Sequence, residues 1–270
     1  MKMTVKALAA LAVALIGIGA LIFCGALAAS GFDILKLSRE VSGYEERTFQ
    51  AVGEFARVRI EDVDASVQIL PSEDGKCTIH YDETERSAYR FGVDSDVLTI
   101  THDRHWLDSF GIIMSAPNLT VYLPETAYEK LDVHTVSGSI RVEGLEFGAA
   151  NLETTSGGIR LTNVRAANGT SSGTDSLRAK TTSGSIRLEG VNANSLALQS
   201  VSGGIRLEGV DAGSLALQCV SGSIRAELLS GKEYDASSVS GRVSVPDSVP
   251  GAGLCRASTT SGSITISVAE

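Results

Sequence analysis

Ser183-Gly184-Ser185-Ile186-Arg187-Leu188-Glu189-Gly190-Val191 returns as Ser202-Gly203-Gly204-Ile205-Arg206-Leu207-Glu208-Gly209-Val210, and in looser form through all of residues 131–270. Ser-Gly begins at Ser137, Ser156, Ser183, Ser202, Ser221, Ser240 and Ser261, giving steps of 19, 27, 19, 19, 19 and 21 residues. The step of 27 is a period of 19 with an insertion of 8, placed between Val164 and Leu177 in small polar residues that suit a surface loop. Periods near 20 residues are the mark of solenoids.

The residues within one period say which solenoid. Three places after each Ser stand Ile140, Ile159, Ile186, Ile205, Ile224, Val243 and Ile264, and five places after stand Val142, Leu161, Leu188, Leu207, Ala226, Val245 and Ile266. Apolar pairs also precede the Ser by six and four places, as in Leu131/Val133, Leu196/Leu198 and Leu215/Leu217. A spacing of two is that of strands. Seven places after the Ser come Gly144, Asn163, Gly190 and Gly209, and Gly exchanging with Asn marks a turn with positive φ. The expected fold is all-β, a β-helix or β-solenoid of 19-residue coils stacked in parallel about 4.8 Å apart. The alternative is a twisted sandwich of short hairpins.

The 270 residues are 43% hydrophobic and 20% charged, a folded composition, and the net charge is −9. Such acidity excludes a nucleic-acid partner, which needs a basic face. Residues 7–29 are uncharged and apolar, about 35 Å long as a helix, and are preceded by Lys2 and Lys6. This predicts an N-terminal transmembrane helix within residues 1–30, a juxtamembrane linker over 31–50 and an extracytoplasmic domain over 51–270. The rival is a signal peptide cleaved at Ala26-Leu27-Ala28. Cys77, Cys219 and Cys255 have no metal-binding spacing and read as small buried thiols.

Within 51–130 the alternation is irregular: Val58/Ile60, Val67/Ile69, Ile79/Tyr81, Phe91/Val93, Leu98/Ile100 and Leu119/Val121/Leu123. These residues read as degenerate first coils and a cap, which the open end of a solenoid requires. Between two of the strands, residues 102–115 hold Trp106, Phe110, Ile112, Ile113 and Met114, an apolar loop that caps the core or meets a membrane or a partner. His102 and His105 with Asp103 and Asp108 carry metal-ligand chemistry, but histidines three apart sit awkwardly on a strand, and no metal is expected. No cofactor is expected either.

In this order an apolar helix, Gly31-Phe32-Asp33-Ile34-Leu35-Lys36-Leu37, alternating strands, Val121-Tyr122-Leu123-Pro124 and the Ser-Gly-Ser-Ile-Arg repeats resemble the putative-adhesin family of bacterial envelope proteins, a domain of unknown function. The resemblance covers residues 30–270. It implies a β-solenoid ectodomain in the cell envelope and supplies no catalytic residues.

The outward columns carry what chemistry there is. Arg141, Arg160, Arg187, Arg206 and Arg225 lie four places after the Ser, and Glu143, Glu189, Glu208 and Glu227 six places after, with Thr162 in the remaining copy. A self-compensating solvated ladder is the plain reading. A row of guanidinium groups also suits an anionic polymer of the cell wall. The column Thr135, Thr154, Thr181, Ser200, Ser238 and Thr259 reads as hydroxyl ladders at turns, since no base aligns with it. The expectation is a non-enzymatic, membrane-anchored adhesin or wall-binding module. Its alternatives are a regulatory, envelope-stress ectodomain that binds a membrane partner, and then a polysaccharide-acting β-helix enzyme.

Overall fold

The computed structural model describes residues 44–84, 87–104, 117–166 and 176–269, together with Gly25 and Ala28, which are helical. Among the described residues no helix is long and apolar enough to cross a membrane, and nearly all of the anchor expected over 1–30 lies outside them. Most of the 31–50 linker does too, but its end, Glu45–Gln50, is already a strand, β1. Glu45–Ser109 and Ala116–Glu270 make one compact unit.

Each repeat lays one strand in each of two facing sheets. In the first sheet β9 (Ile140–Glu143), β11 (Ile159–Thr162), β14 (Ile186–Glu189) and the start of β16 (Ile205–Ser221) pair in parallel, identical position on identical position. In the second, β8 (Ala127–Thr135), β10 (Glu146–Thr154), β13 (Ser176–Thr181), β15 (Asn192–Ser202) and the end of β16 do the same. This is a β-solenoid, and parallel pairing excludes the hairpin sandwich. The predicted apolar columns face each other across the interior, where Ile159, Leu161, Leu177, Ile186, Leu188, Leu196 and Leu198 are all at most 1% exposed, but Val243 and Val245, expected in the same columns, are 38% and 36% exposed. The turn between the sheets is as expected, with φ of 65° at Gly144, 52° at Asn163, 60° at Gly190 and 59° at Gly209.

The Ser-Gly corner has another cause. There each glycine packs flat on the carbonyl of the adjoining coil. A methyl carbon on Gly157, Gly184 or Gly203 would fall well inside van der Waals contact with the carbonyl oxygen of Gly138, Gly157 or Gly184 respectively. That same carbonyl accepts a hydrogen bond from a buried hydroxyl two places before the next Ser: Thr154 Oγ1 to Gly138 O is 2.9 Å, Thr181 to Gly157 is 2.8 Å and Ser200 to Gly184 is 3.0 Å. The predicted hydroxyl ladder is therefore a chain of corner clamps. Cys219 takes a place in it, its thiol 3.0 Å from Gly203 O.

Coils do not stack in sequence order at either end. At the start, β2 (Arg57–Glu61) and β3 (Ser66–Pro71) lie inside, against β8 and β9. Outside them sit β6 (Val97–Arg104) and β7 (Asn118–Leu123), which come later in the chain. At the finish, β20 (Leu254–Ser261) and β21 (Ile264–Val268) are inserted beside β16 and β17 (Ile224–Leu228). The preceding coil, β18 (Glu233–Ser240) and β19 (Val243–Ser244), is left outermost. The N-terminal end is further covered by antiparallel strands: β4 (Thr78–Glu83) on β7, β1 on β4, and β5 (Ser87–Asp94) on β6. Phe49, Tyr81, Tyr89 and Phe91 stack there with centroids 4.5–6.0 Å apart and close the core.

The corner clamp makes two substitutions informative. Gly184→Ala, which forces a methyl group into a neighbouring carbonyl, is expected to cost about 3 kcal/mol or more, against about 1–2 for Gly209→Ala, where φ is positive but space is open. Thr181→Val, nearly isosteric, strips the Gly157 carbonyl of its donor and is expected to cost about 1–3 kcal/mol, while Thr181→Ser retains most of the stability. Thermal melts of the four variants give the order directly.

Candidate functional site

The predicted arginines form one continuous column on the outer face of the first sheet. Pairing sets Arg141 beside Arg160, Arg160 beside Arg187, Arg187 beside Arg206 and Arg206 beside Arg225. All five alternate with buried residues along their strands and point to solvent. The glutamate column is less regular. Glu143 neighbours Thr162, which neighbours Glu189 and then Glu208, but a bulge at Glu208 and Gly209 takes Glu227 out of line.

Arg141 Nη2 binds Glu143 Oε2 in its own coil at 2.8 Å, and Arg206 pairs likewise with Glu208. These side chains are 36–54% exposed, so each pair contributes roughly 0–1 kcal/mol. Arg160 has Thr162 where the others have an acid. Five arginines against four glutamates make the strip net positive on a chain of net charge −9. A shallow trough of about 450 Å³ crosses Arg141, Arg160, Arg187 and Arg206, with Thr162, Glu189 and Glu208 beside them. A larger hollow of about 620 Å³ follows the turns at Gly144, Asn163 and Gly190, where Glu125 and Glu146 mix with Arg165 and Asn192 and no sign of charge prevails.

The second sheet shows that the architecture does not demand like-charged rows. On its outer face Lys180 binds Glu153 of the adjoining coil at 2.8 Å, and Arg256 binds Asp235 at 3.1 Å. Contact with Lys180 lowers the Glu153 carboxyl below its ordinary range.

The other candidate, Trp106, Phe110, Ile112, Ile113 and Met114, lies outside the described residues, as do His105 and Asp108. His102 is described, and its ring turns toward Asp62 and Asp64. Its ring is buried, stacked on Tyr89 at 4.5 Å, with Nδ1 3.7 Å from Asp62 Oδ1 and 3.6 Å from Asp64 Oδ1. Asp62 also accepts from the Tyr89 hydroxyl at 2.6 Å and from the Asp64 and Ala65 amides at 3.0 and 2.7 Å. Burial raises this carboxyl, and the His102, Tyr89 and Ala65 contacts outweigh it, so the net direction is down. Nothing in the sequence joins Asp62 to His102 except that each falls where the hydroxyl column would continue.

The fold and its surface define a two-sheet β-solenoid whose chemistry sits in outward columns of its repeats. Residues 55–270 match the Toastrack DUF4097 domain, and the chain belongs to that family. A crystal structure of a putative adhesin from Bacteroides fragilis has the same fold, with TM-score 0.50 and 16% identity over 84% of this chain and 97% of that one. Also similar are a putative adhesin from Parabacteroides distasonis (TM-score 0.44, 12% identity, 83% and 96% covered) and a putative lipid binding protein from the same organism (0.42, 13%, 84% and 97%). No curated protein matches.

Cys77, Cys219 and Cys255 are buried free thiols, and burial pushes Cys77 and Cys255 up to about 11. A thiol reagent at pH 8 should therefore leave both unlabelled in the native protein and label them on unfolding, read by mass spectrometry of the tryptic peptides.

Proposed function

We propose that the solenoid is a non-catalytic binding module of the bacterial cell envelope that holds a linear anionic polymer along the arginine column. The polymer is a wall teichoic acid or an acidic polysaccharide, of the cell's own wall or of a foreign surface, and the N-terminal apolar segment anchors the module in the membrane with the solenoid outside. The observation that carries this reading is the unbroken row from Arg141 to Arg225, one guanidinium per coil at about 4.8 Å. Guanidinium groups match carboxylate and phosphate in planar, bidentate geometry. Individually exposed contacts are weak, so a polymer that meets several at once gains affinity through multivalency. The family and the adhesin-type fold relative favour a binding role over catalysis.

Purified ectodomain is expected to co-sediment with insoluble anionic wall polymer at low salt and to release it as ionic strength rises, because exposed charges are screened. Arg160→Glu, Arg187→Glu and Arg206→Glu together should abolish binding while the melting temperature stays within a few degrees, since exposed pairs contribute little to stability. Retained binding in that variant would sink the proposal.

A further inference from the structure

In seven coils the position two places before the Ser holds a small neutral donor, Thr135, Thr154, Thr181, Ser200, Cys219, Ser238 and Thr259, all buried but the half-buried Ser238. The two N-terminal coils break that rule in adjacent strands. Glu61 pairs with His134 and with Thr101, so the next residues, Thr135, Asp62 and His102, fall in one column. Asp64 in turn stands where the repeat has its Ser. A hydroxyl, or at Cys219 a thiol, stands in that place in every other coil, so closing the corner does not require two acids and an imidazole.

We propose that Asp62, Asp64 and His102 form a binding site for a divalent transition-metal ion of the zinc class. Their ligand atoms lie within 4.8 Å of one another, and His102 Nδ1 is 3.6–3.7 Å from both carboxylates. A tetrahedral ion with bonds of about 2.0–2.2 Å holds its ligands roughly 3.3–3.6 Å apart, close to the two distances from His102 Nδ1 to the carboxylates. Charge favours the same assignment. One divalent ion balances two carboxylates, and the Asp62 and His102 side chains are 0% and 2% exposed. The surroundings orient the ligands as outer partners do in metal sites: the Tyr89 hydroxyl holds Asp62 Oδ2 and its ring lies against the imidazole. Asp62 Oδ1 already accepts two amide hydrogen bonds, so Asp64 and His102 make the shorter bonds to the ion. Asp64, 13% exposed, gives it a way in. The ion clips β6 to the corner between β2 and β3.

The test is Zn²⁺ titration of metal-stripped, full-length protein, followed by long-range ¹H–¹⁵N spectra of the four imidazoles and by thermal melts. Expected are one equivalent bound, a shift of the His102 Nδ1 resonance and a higher melting temperature. Asp64→Asn, isosteric and partly exposed, should weaken Zn²⁺ binding by about tenfold or more with an unchanged amide spectrum. Zn²⁺ that perturbs His80 or His134 and leaves His102 in place overturns the assignment, as does equal affinity in wild type and Asp64→Asn.

Discussion

The structure rests on a contact with no room in it: each corner glycine lies on the carbonyl of the coil beside it, and a buried hydroxyl donates to that carbonyl. The two requirements act on one atom from two sides. Close approach admits only glycine, and an acceptor buried in the corner needs a donor that is short and neutral. Together they fix the register of each coil on the last. A slip of one residue would turn every inward side chain outward and take the hydroxyls from their acceptors. With the corner fixed, the apolar pairs stack on themselves, the left-handed turn recurs at Gly144, Asn163, Gly190 and Gly209, and the outward residues line up in columns.

A stack of parallel coils has two ends, and this chain treats them differently. At the N-terminal end three antiparallel strands and a pile of aromatic rings cover the last interior layer. At the other end β18 stands as an edge with Ala236 and Ser238 facing in and Glu233, Asp235 and Ser237 facing out, followed by the two-residue β19 and by Pro246. Small, acidic, interrupted and proline-flanked strands are poor templates for further pairing. At this end β20 and β21 have neighbours on both sides, while the outermost β18 and β19 continue into further described chain at both of their ends.

What could be read from the sequence follows from this geometry. Period, strand columns, positive-φ turn, hydroxyl ladder and arginine row are each set within one repeat, so each shows as a spacing. The order of coils does not. Any coil of the array presents nearly the same edge to any other, so periodicity specifies register and leaves the choice of neighbour open. Only the weaker apolar character of residues 233–245 hints that this coil lies outside. The Asp62–Asp64–His102 cluster was hidden for the same reason, because its members meet only through the exchange that sets β6 beside β2. Glycine misled more gently: at the seventh position it answers to φ, while at the Ser-Gly corner it answers to a neighbour's oxygen.

The contrast between the two outer faces bears on what the surface is for. Both have the same coil spacing, and the second sheet sets opposite charges on neighbouring coils at Glu153 and Lys180 and at Asp235 and Arg256, so that these neighbours attract. The first sheet sets five arginines in line, compensated within coils and incompletely, with Thr162 breaking the acidic column beside Arg160. Since the backbone accommodates the alternating pattern, the uniform row is not a consequence of the fold. Exposure keeps its repulsion small, which is why it is tolerated. A row of identical cations also differs from a pocket in kind. A ligand that repeats at a similar interval meets an equivalent set of contacts after sliding by one coil, so the strip discriminates by period and charge more than by shape. An envelope polymer, the ligand proposed for the strip, varies in length and end structure but not in its repeat, and a periodic row of cations is suited to that property.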